Sequence, residues 1–325
     1  MKRLAIAIIL AGLGWSLWWF WAAHALRGET IAWFDARRDA GWQATYDDLV
    51  VRGFPNRLDT TLSGLTLGDP QRDTLWQAPF FQILQLSYTP DHLIAVWPES
   101  QTLTLDGESY GISGDGLRAS MVRDSDDILL RVNAEAQTLN ISSASGAVAV
   151  AGLNAALHVI EDRQNTYRLS LVTDAVARSQ SALAPLTGDN LDVLRANAIV
   201  TFDRPWISGS LPASRPQPTR IDLTLVEYRV GTLEVKLAGK VELDDQGAMT
   251  GKLTFKAVNW RDLLDLARDG GPISDSLAST LEQGLSLMAG LSGNAKTLDL
   301  PLTLKDGQMS LGLIPLGQAP RIRLP

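Results

Sequence analysis

The sequence predicts a mainly β protein, a β-rich α+β fold in which one N-terminal transmembrane helix is followed by curved antiparallel sheet(s) with a few short helices packed on them. Three observations carry this: an uncharged apolar run near the N-terminus, period-two alternation of apolar residues after Gly41, and turn residues set between the alternating runs.

The run from Leu4 to Ala23 reads LAIAIILAGLGWSLWWFWAA, and as a helix it spans roughly 30 Å, the thickness of a bilayer core. Lys2 and Arg3 precede it, so the positive-inside rule keeps the N-terminus in the cytoplasm and sends the rest across. Trp15, Trp18, Trp19 and Trp21 crowd its outer half. They are the expected membrane-interface residues, because an indole body sits among acyl chains while its N–H reaches interfacial water. Ala23-His24-Ala25 also fits the small-x-small pattern that a signal peptidase accepts, so residues 1–24 read either as a retained anchor or as a signal peptide. Both readings put the remainder on the far side of the membrane.

Over residues 25–41, Leu26, Thr30 and Trp33 share one helical face, Phe34 lies beside it, and Gly41 offers a stop. This predicts a juxtamembrane helix, lying either in the interface or against the β domain. Residues 42–204 read as an N-terminal β lobe, with strands expected at Leu58–Leu67, Phe80–Tyr88, His92–Trp97, Gln101–Leu105, Leu117–Arg123, Ile128–Ile141 and Tyr167–Thr173. Composition shifts at Ala184–Asn190 and again at residues 205–218, PWISGSLPASRPQP, which are too rich in Pro and Ser for a central strand and mark a loop.

Residues 219–325 form the expected C-terminal β lobe with two helices. Ile221, Leu223 and Leu225 alternate, as do Leu233, Val235, Leu237, Val241 and Leu243, and then Met249, Leu253, Phe255 and Ala257. Asp244-Asp245-Gln246-Gly247 and Asp306-Gly307 supply hairpin turns, so neighbouring strands are expected to be antiparallel, on the order of a dozen in all. Asn259 caps a helix over Trp260–Arg268, and Ser274 or Ser276 opens another whose Leu277, Leu281, Leu285 and Met288 form a stripe to pack on the sheet. One continuous sheet and two lobes both fit this pattern.

Composition narrows the function classes. The chain has 325 residues, 45% hydrophobic and 20% charged, the balance of a folded protein. A net charge of -7 weighs against nucleic acid and against electrostatic docking on anionic lipid, so membrane attachment has to be hydrophobic. With no Cys there is no disulfide framework, thiolate nucleophile or Cys-ligated metal. His24, His92 and His158 show no metal-ligand spacing, and Asp124-Ser125-Asp126-Asp127 lacks the Gly and distal Glu of a calcium loop. Neither a phosphate-binding loop, a nucleophile elbow nor a dinucleotide fingerprint occurs. No catalytic residue, metal or cofactor is therefore expected. The remaining candidates are Trp76, Phe80, Phe81, Tyr88 and Trp97, an aromatic group able to line an apolar ligand pocket and equally able to fill a sheet core.

The segments Val51-Arg52-Gly53-Phe54-Pro55-Asn56-Arg57, Trp76-Gln77-Ala78-Pro79 and His92-Leu93-Ile94-Ala95-Val96-Trp97-Pro98 resemble the bacterial domain of unknown function 2125 family. The resemblance runs from the apolar run through most of the chain and implies a bacterial envelope setting; it supplies no catalytic residues. Together with the apolar run this gives the expected location, a single-pass inner-membrane anchor with a periplasmic domain. Leu237-Ala238-Gly239 through Gly251-Lys252-Leu253 is more loosely similar to the hairpin repeats of AsmA-like envelope proteins, which implies a curved sheet with an apolar inner surface. The expected function is a non-enzymatic anchored protein that binds or shields lipid in envelope maintenance. The alternative is a structural or assembly factor that binds another envelope protein through its sheet and has no ligand cavity.

Overall fold

The computed structural model describes residues 1–179, 192–207, 215–269, 275–291, 294–305 and 307–324. The shift at Ala184–Asn190, half of the loop at 205–218, the expected helix start at Ser274 and the Asp306 turn residue thus lie outside the described residues. The architecture is mainly β: among the described residues nineteen strands and three α-helices are present, and every strand pair with a defined register is antiparallel.

Helix α1 runs unbroken over Lys2–Asp39, so the expected juxtamembrane helix is the continuation of the apolar one. The chain divides into two compact units. Met1–Ser125 and Val132–Ala151 form the body of the first; Asp126–Arg131, Gly152–Ala177 and the chain from Asp192 onward form that of the second. The strands before and after the loop at 205–218 pair with each other inside the second unit.

In the first unit, β1 (Gln43–Thr45) and β2 (Asp48–Arg52) both lie along one side of β3 (Asp59–Asp69), and β4 (Thr74–Leu86) lies along the other. One half of β4 pairs with β5 (Thr89–Val96) and the other with β6 (Ser100–Leu105). From there β7 (Glu108–Asp115) extends the sheet next to β6, β8 (Arg118–Arg123) next to β5, and β9 (Leu129–Ser143) next to β7. The core is the cluster of Phe34, Ala44, Leu49, Leu62 and Leu65, with Trp42, Trp76 and Phe81 packed against it. Each such side chain contributes roughly 1.5–3 kcal/mol when removed from water.

The second unit is a meander. From the Asn154–Val159 end of β10 (Gly146–Val159) it passes through β11 (Thr166–Val172), then β13 (Val193–Phe202), β14 (Pro218–Val230), β15 (Leu233–Leu243) and β16 (Met249–Val258) to β17 (Thr297–Lys305), β18 (Gln308–Leu311) and β19 (Ile314–Gln318). The short β12 (Ala175–Ser179) bridges Val176 to Asp192. The clean alternation in the sequence reappears as one apolar face. Val235, Ala257 and Leu298 are cross-strand partners, as are Leu237, Phe255 and Leu300, while Lys236, Lys256 and Asp299 line up on the other face. Helices α2 (Trp260–Asp269) and α3 (Asp275–Leu291) cover one end of the apolar face through Trp260, Leu264, Leu281, Leu285 and Met288, as the stripe predicts. The segment after β19 covers the other end with Ala319 and Ile322.

A device occurs in both units. Leu62 and Leu65 are both buried although three residues apart, an odd spacing for a strand. Gly64 between them has φ +58°, and a Cβ there would fall 2.0 Å from the Asp47 Oδ2. Gly152 in β10 has φ +60°, and its Cβ would fall 2.0 Å from the Asp174 Oδ2. Gly64 lets β3 change the side it presents, and at both glycines an Asp carboxylate fills the space over the backbone. Gly64→Ala and Gly152→Ala are each expected to cost about 1–3 kcal/mol. In hydrogen-exchange mass spectrometry the loss of protection should be confined to β3 and β4 for the first and to β10 and β11 for the second.

Candidate functional site

Helix α1 changes character along its length. Residues 1–15 are exposed all round, which is the surface of a helix solvated by something other than this domain. From Trp15 onward one face is taken up by the β domain. Trp19 is 4% exposed and packs with Ala23 on Leu58, with Val51 and Leu26 at the margin. Further along the helix, Phe34 enters the main core of the first unit.

The partner of this face is the β2–β3 turn, Gly53–Arg57, whose Phe54-Pro55 peptide is cis. The turn closes on itself through Arg57 N–H to the Gly53 carbonyl at 2.8 Å and leaves other carbonyls pointing outward. The Trp15 indole N–H donates to the Pro55 carbonyl at 2.9 Å and the Trp19 indole N–H to the Arg57 carbonyl at 2.8 Å. A buried indole N–H must find an acceptor, and these carbonyls supply it. Phe54 meets Trp19 edge-on at 5.4 Å between ring centres and stacks on Phe20 at 5.7 Å. The β4–β5 turn lies beside it: Ser87 donates to the Asn56 carbonyl from both its backbone N–H, at 2.9 Å, and its hydroxyl, at 3.0 Å. Of the four tryptophans read from the sequence as interfacial, Trp18 and Trp21 remain exposed, Trp15 is half-committed to the turn, and Trp19 faces the protein. The sequence could not separate them, since their spacing is compatible with either side of the helix.

The five candidate lining residues do not form one pocket. Trp76, Phe81 and Trp97 are in ring contact in series, at 5.4 and 5.3 Å, and Trp76 and Phe81 belong to the core that α1 covers. The Trp76 indole N–H is fixed by the Gln101 side-chain carbonyl at 2.7 Å. Phe80, the neighbour of Phe81, takes the alternate side of β4 and is half-exposed, while Tyr88 stands on the β4–β5 turn at 61% exposure.

A groove of about 740 Å³ lies close by, lined by Gly64, Thr66, Gln77, Thr102, Gly111 and Ser142 among others. Thr66, Gln77, Thr102, Gly111 and Ser142 are successive cross-strand partners over β3, β4, β6, β7 and β9. They make a lane of small, uncharged hydrogen-bonding groups. Sequence reading missed it because single Ser and Thr residues in strands look like ordinary wet positions; only the register brings them together.

The described residues contain no cluster of His, Asp or Glu able to hold a metal ion. His92 lies in β5 of the first unit opposite Val122, and His158 in β10 of the second opposite Arg168. The Glu108 carboxyl is held well below the ordinary carboxylate range. Hydrogen bonds from Ser145 first, then Ser143 and Tyr110, hold it down to about 2. Its geometry is that of a clamp between β7 and the turn after β9, with Ser145 Oγ at 2.7 Å and Tyr110 Oη at 2.9 Å.

An apolar helix long enough to cross a membrane and a mainly β domain locked to its second half define the class of protein. The chain belongs to the family described as uncharacterized protein conserved in bacteria (DUF2125), whose profile matches residues 19–320. The match begins at Trp19, the first α1 residue buried against the β domain. No curated protein and no solved structure matches the chain, so the looser likeness to AsmA-like repeats gains no support from these comparisons.

This geometry predicts two outcomes. Trp19→Ala empties a buried site and should cost about 3–5 kcal/mol, whereas Trp19→Phe leaves the Arg57 carbonyl without its donor and should cost about 1–3 kcal/mol, both read as lowered unfolding midpoints in detergent. For Glu108 the folded carboxyl titrates near 2 against an ordinary 4.5. A depressed acid stabilises above its unfolded value, so the clamp is complete above pH 4.5 and is lost as pH falls toward 2. Carboxyl NMR titration should show this, and Glu108→Gln should remove this carboxyl's share of the pH dependence in that window.

Proposed function

We propose that this protein is a non-enzymatic, single-pass inner-membrane protein whose β domain lies on the periplasmic side and handles lipid. The anchor reading rests on the uncharged run, the basic residues before it and the exposure of its first half on every side. The lipid reading is carried by one observation. On the side of β4 away from the helix-covered core, Leu84 and Phe80, with Ile94 and Val96 on β5, stay half-exposed in a strip that begins beside the turns held on α1.

That strip has the right order of properties for a lipid molecule. Its apolar part starts at the end of the sheet nearest the apolar helix, and β4 continues to Gln77 and the neutral hydroxyl-lined groove roughly 23 Å beyond Leu84. An acyl chain gains roughly 0.8 kcal/mol for each CH₂ it buries. The uncharged groove suits a polar group without a strong charge, consistent with a chain whose net charge is -7.

A specific observation favours the second reading, a protein partner added at a sheet edge. β19 pairs on one side with β18, and Leu313 beside it is 93% exposed. Site-specific photo-crosslinking in intact cells separates the two. A crosslinker at Phe80, Leu84 or Ile94 is expected to capture lipid, and one at Lys252 on the wet face of β16 is not. Lipid capture at none of the three, with a protein adduct at Leu313, would replace lipid handling by partner binding.

A further inference from the structure

The turn Gly53–Arg57 sits lower on α1 than a domain merely tethered to a membrane would. Trp15 and Trp19 hold its carbonyls, and Phe20 stacks on its Phe54, and all three belong to the uncharged run Leu4–Ala23. Helical rise puts Trp15 roughly 12 Å before the end of that run. If the run lies in the bilayer, whatever is bonded to Trp15 and Trp19 lies within the leaflet on the domain's side, and the Phe54 ring, set on Trp19 and Phe20, lies roughly 5 Å from that leaflet's headgroup boundary.

The residues at this place suit such a position. Phe54 is 49% exposed although it is in contact with two aromatic rings, and Tyr88 on the adjoining turn is exposed as well. Phe20 on the helix is exposed against Phe54. Arg52 at the end of β2 is exposed, and Arg57 is paired with Asp59 at 2.7 Å. Exposed aromatics flanked by guanidinium groups are the composition that settles at a lipid interface, where rings meet the acyl boundary and cations meet phosphates.

We infer that the turns Gly53–Arg57 and Ser87–Tyr88 form a second bilayer contact, with Phe54 inserted at the headgroup–acyl boundary of the leaflet on the domain's side. This rests on the reading of α1 as a membrane anchor. It goes beyond that reading because it makes the domain itself a lipid-binding surface and fixes its orientation: the end of the sheet where β4 meets β5 faces the bilayer, and lipid can pass from membrane to strip without crossing water.

The chain has no cysteine, so a single introduced one reports cleanly. The full chain is reconstituted in phosphatidylcholine vesicles with an environment-sensitive fluorophore at Phe54→Cys or, to keep the ring, at Asn56→Cys; labels at Leu10→Cys and Leu313→Cys serve as references. Nitroxide-bearing lipids then quench from a shallow or a deep position. Labels at positions 54 and 56 are expected to lose roughly half their emission to the shallow quencher, as an interfacial group does, while Leu313→Cys loses none. Deep quenching at Leu10→Cys with no quenching at 54 or 56 would overturn the tip contact and leave the anchor standing. Loss of quenching at Leu10→Cys would remove the anchor itself. A blue-shifted label at 54 that resists both quenchers would mean that a second protein copy, not lipid, covers Phe54, and this too overturns the inference.

Discussion

The contact between the second half of α1 and the β2–β3 hairpin is the constraint on which the first unit depends. Trp19 and Phe34 stand fifteen residues apart on one continuous helix, and each is nearly lost from solvent against the sheet. Between them Arg27 holds the Leu49 carbonyl at 3.3 Å. Helix and sheet are therefore one packed body. A 38-residue helix with no interruption transmits orientation, because an α-helix bends only gently in the absence of Pro or an inserted group.

That contact also organises the strands beyond it. The Gly53–Arg57 turn is pinned by indoles on one side and by Ser87 on the other, which fixes where β4 and β5 meet. From that end the sheet divides by side: Trp76 and Phe81 go to the core beneath α1, and Phe80 and Leu84 face away. The proposed lipid strip and the groove are consequences of this division, so their positions relative to the apolar helix are set by hydrogen bonds within a single unit.

Much of the fold was legible in the sequence, and the reasons for the exceptions are physical. The C-terminal strands were readable because one face of β15–β17 is apolar and the other mostly polar, which keeps the alternation regular. β10 and β7 were missed, as were β1, β2, β12, β13 and β19. β10 is half-buried along most of its length and is written in Ala, Val and Gly with no wet face, while ESYGISGD in β7 carries few large apolar residues. The N-terminal pattern was irregular because Gly64 shifts the phase between Leu62 and Leu65. The candidate site was less legible. Which tryptophan faces lipid and which faces protein depends on the Pro55 and Arg57 carbonyls some forty residues away, and the groove depends on a register across five strands. Local pattern carries neither.

The central claim is that α1 is a wall of the β domain, retained as part of the folded protein. Removal of the segment before Leu26 would strip Trp15, Trp19 and Ala23 from Leu58 and Val51 and leave the turn's carbonyls without donors. N-terminal peptide mapping of the protein purified from its native host tests this most directly. The account predicts a peptide that spans Trp15–Ala25, and a new N-terminus at Leu26 throughout the folded population would contradict it.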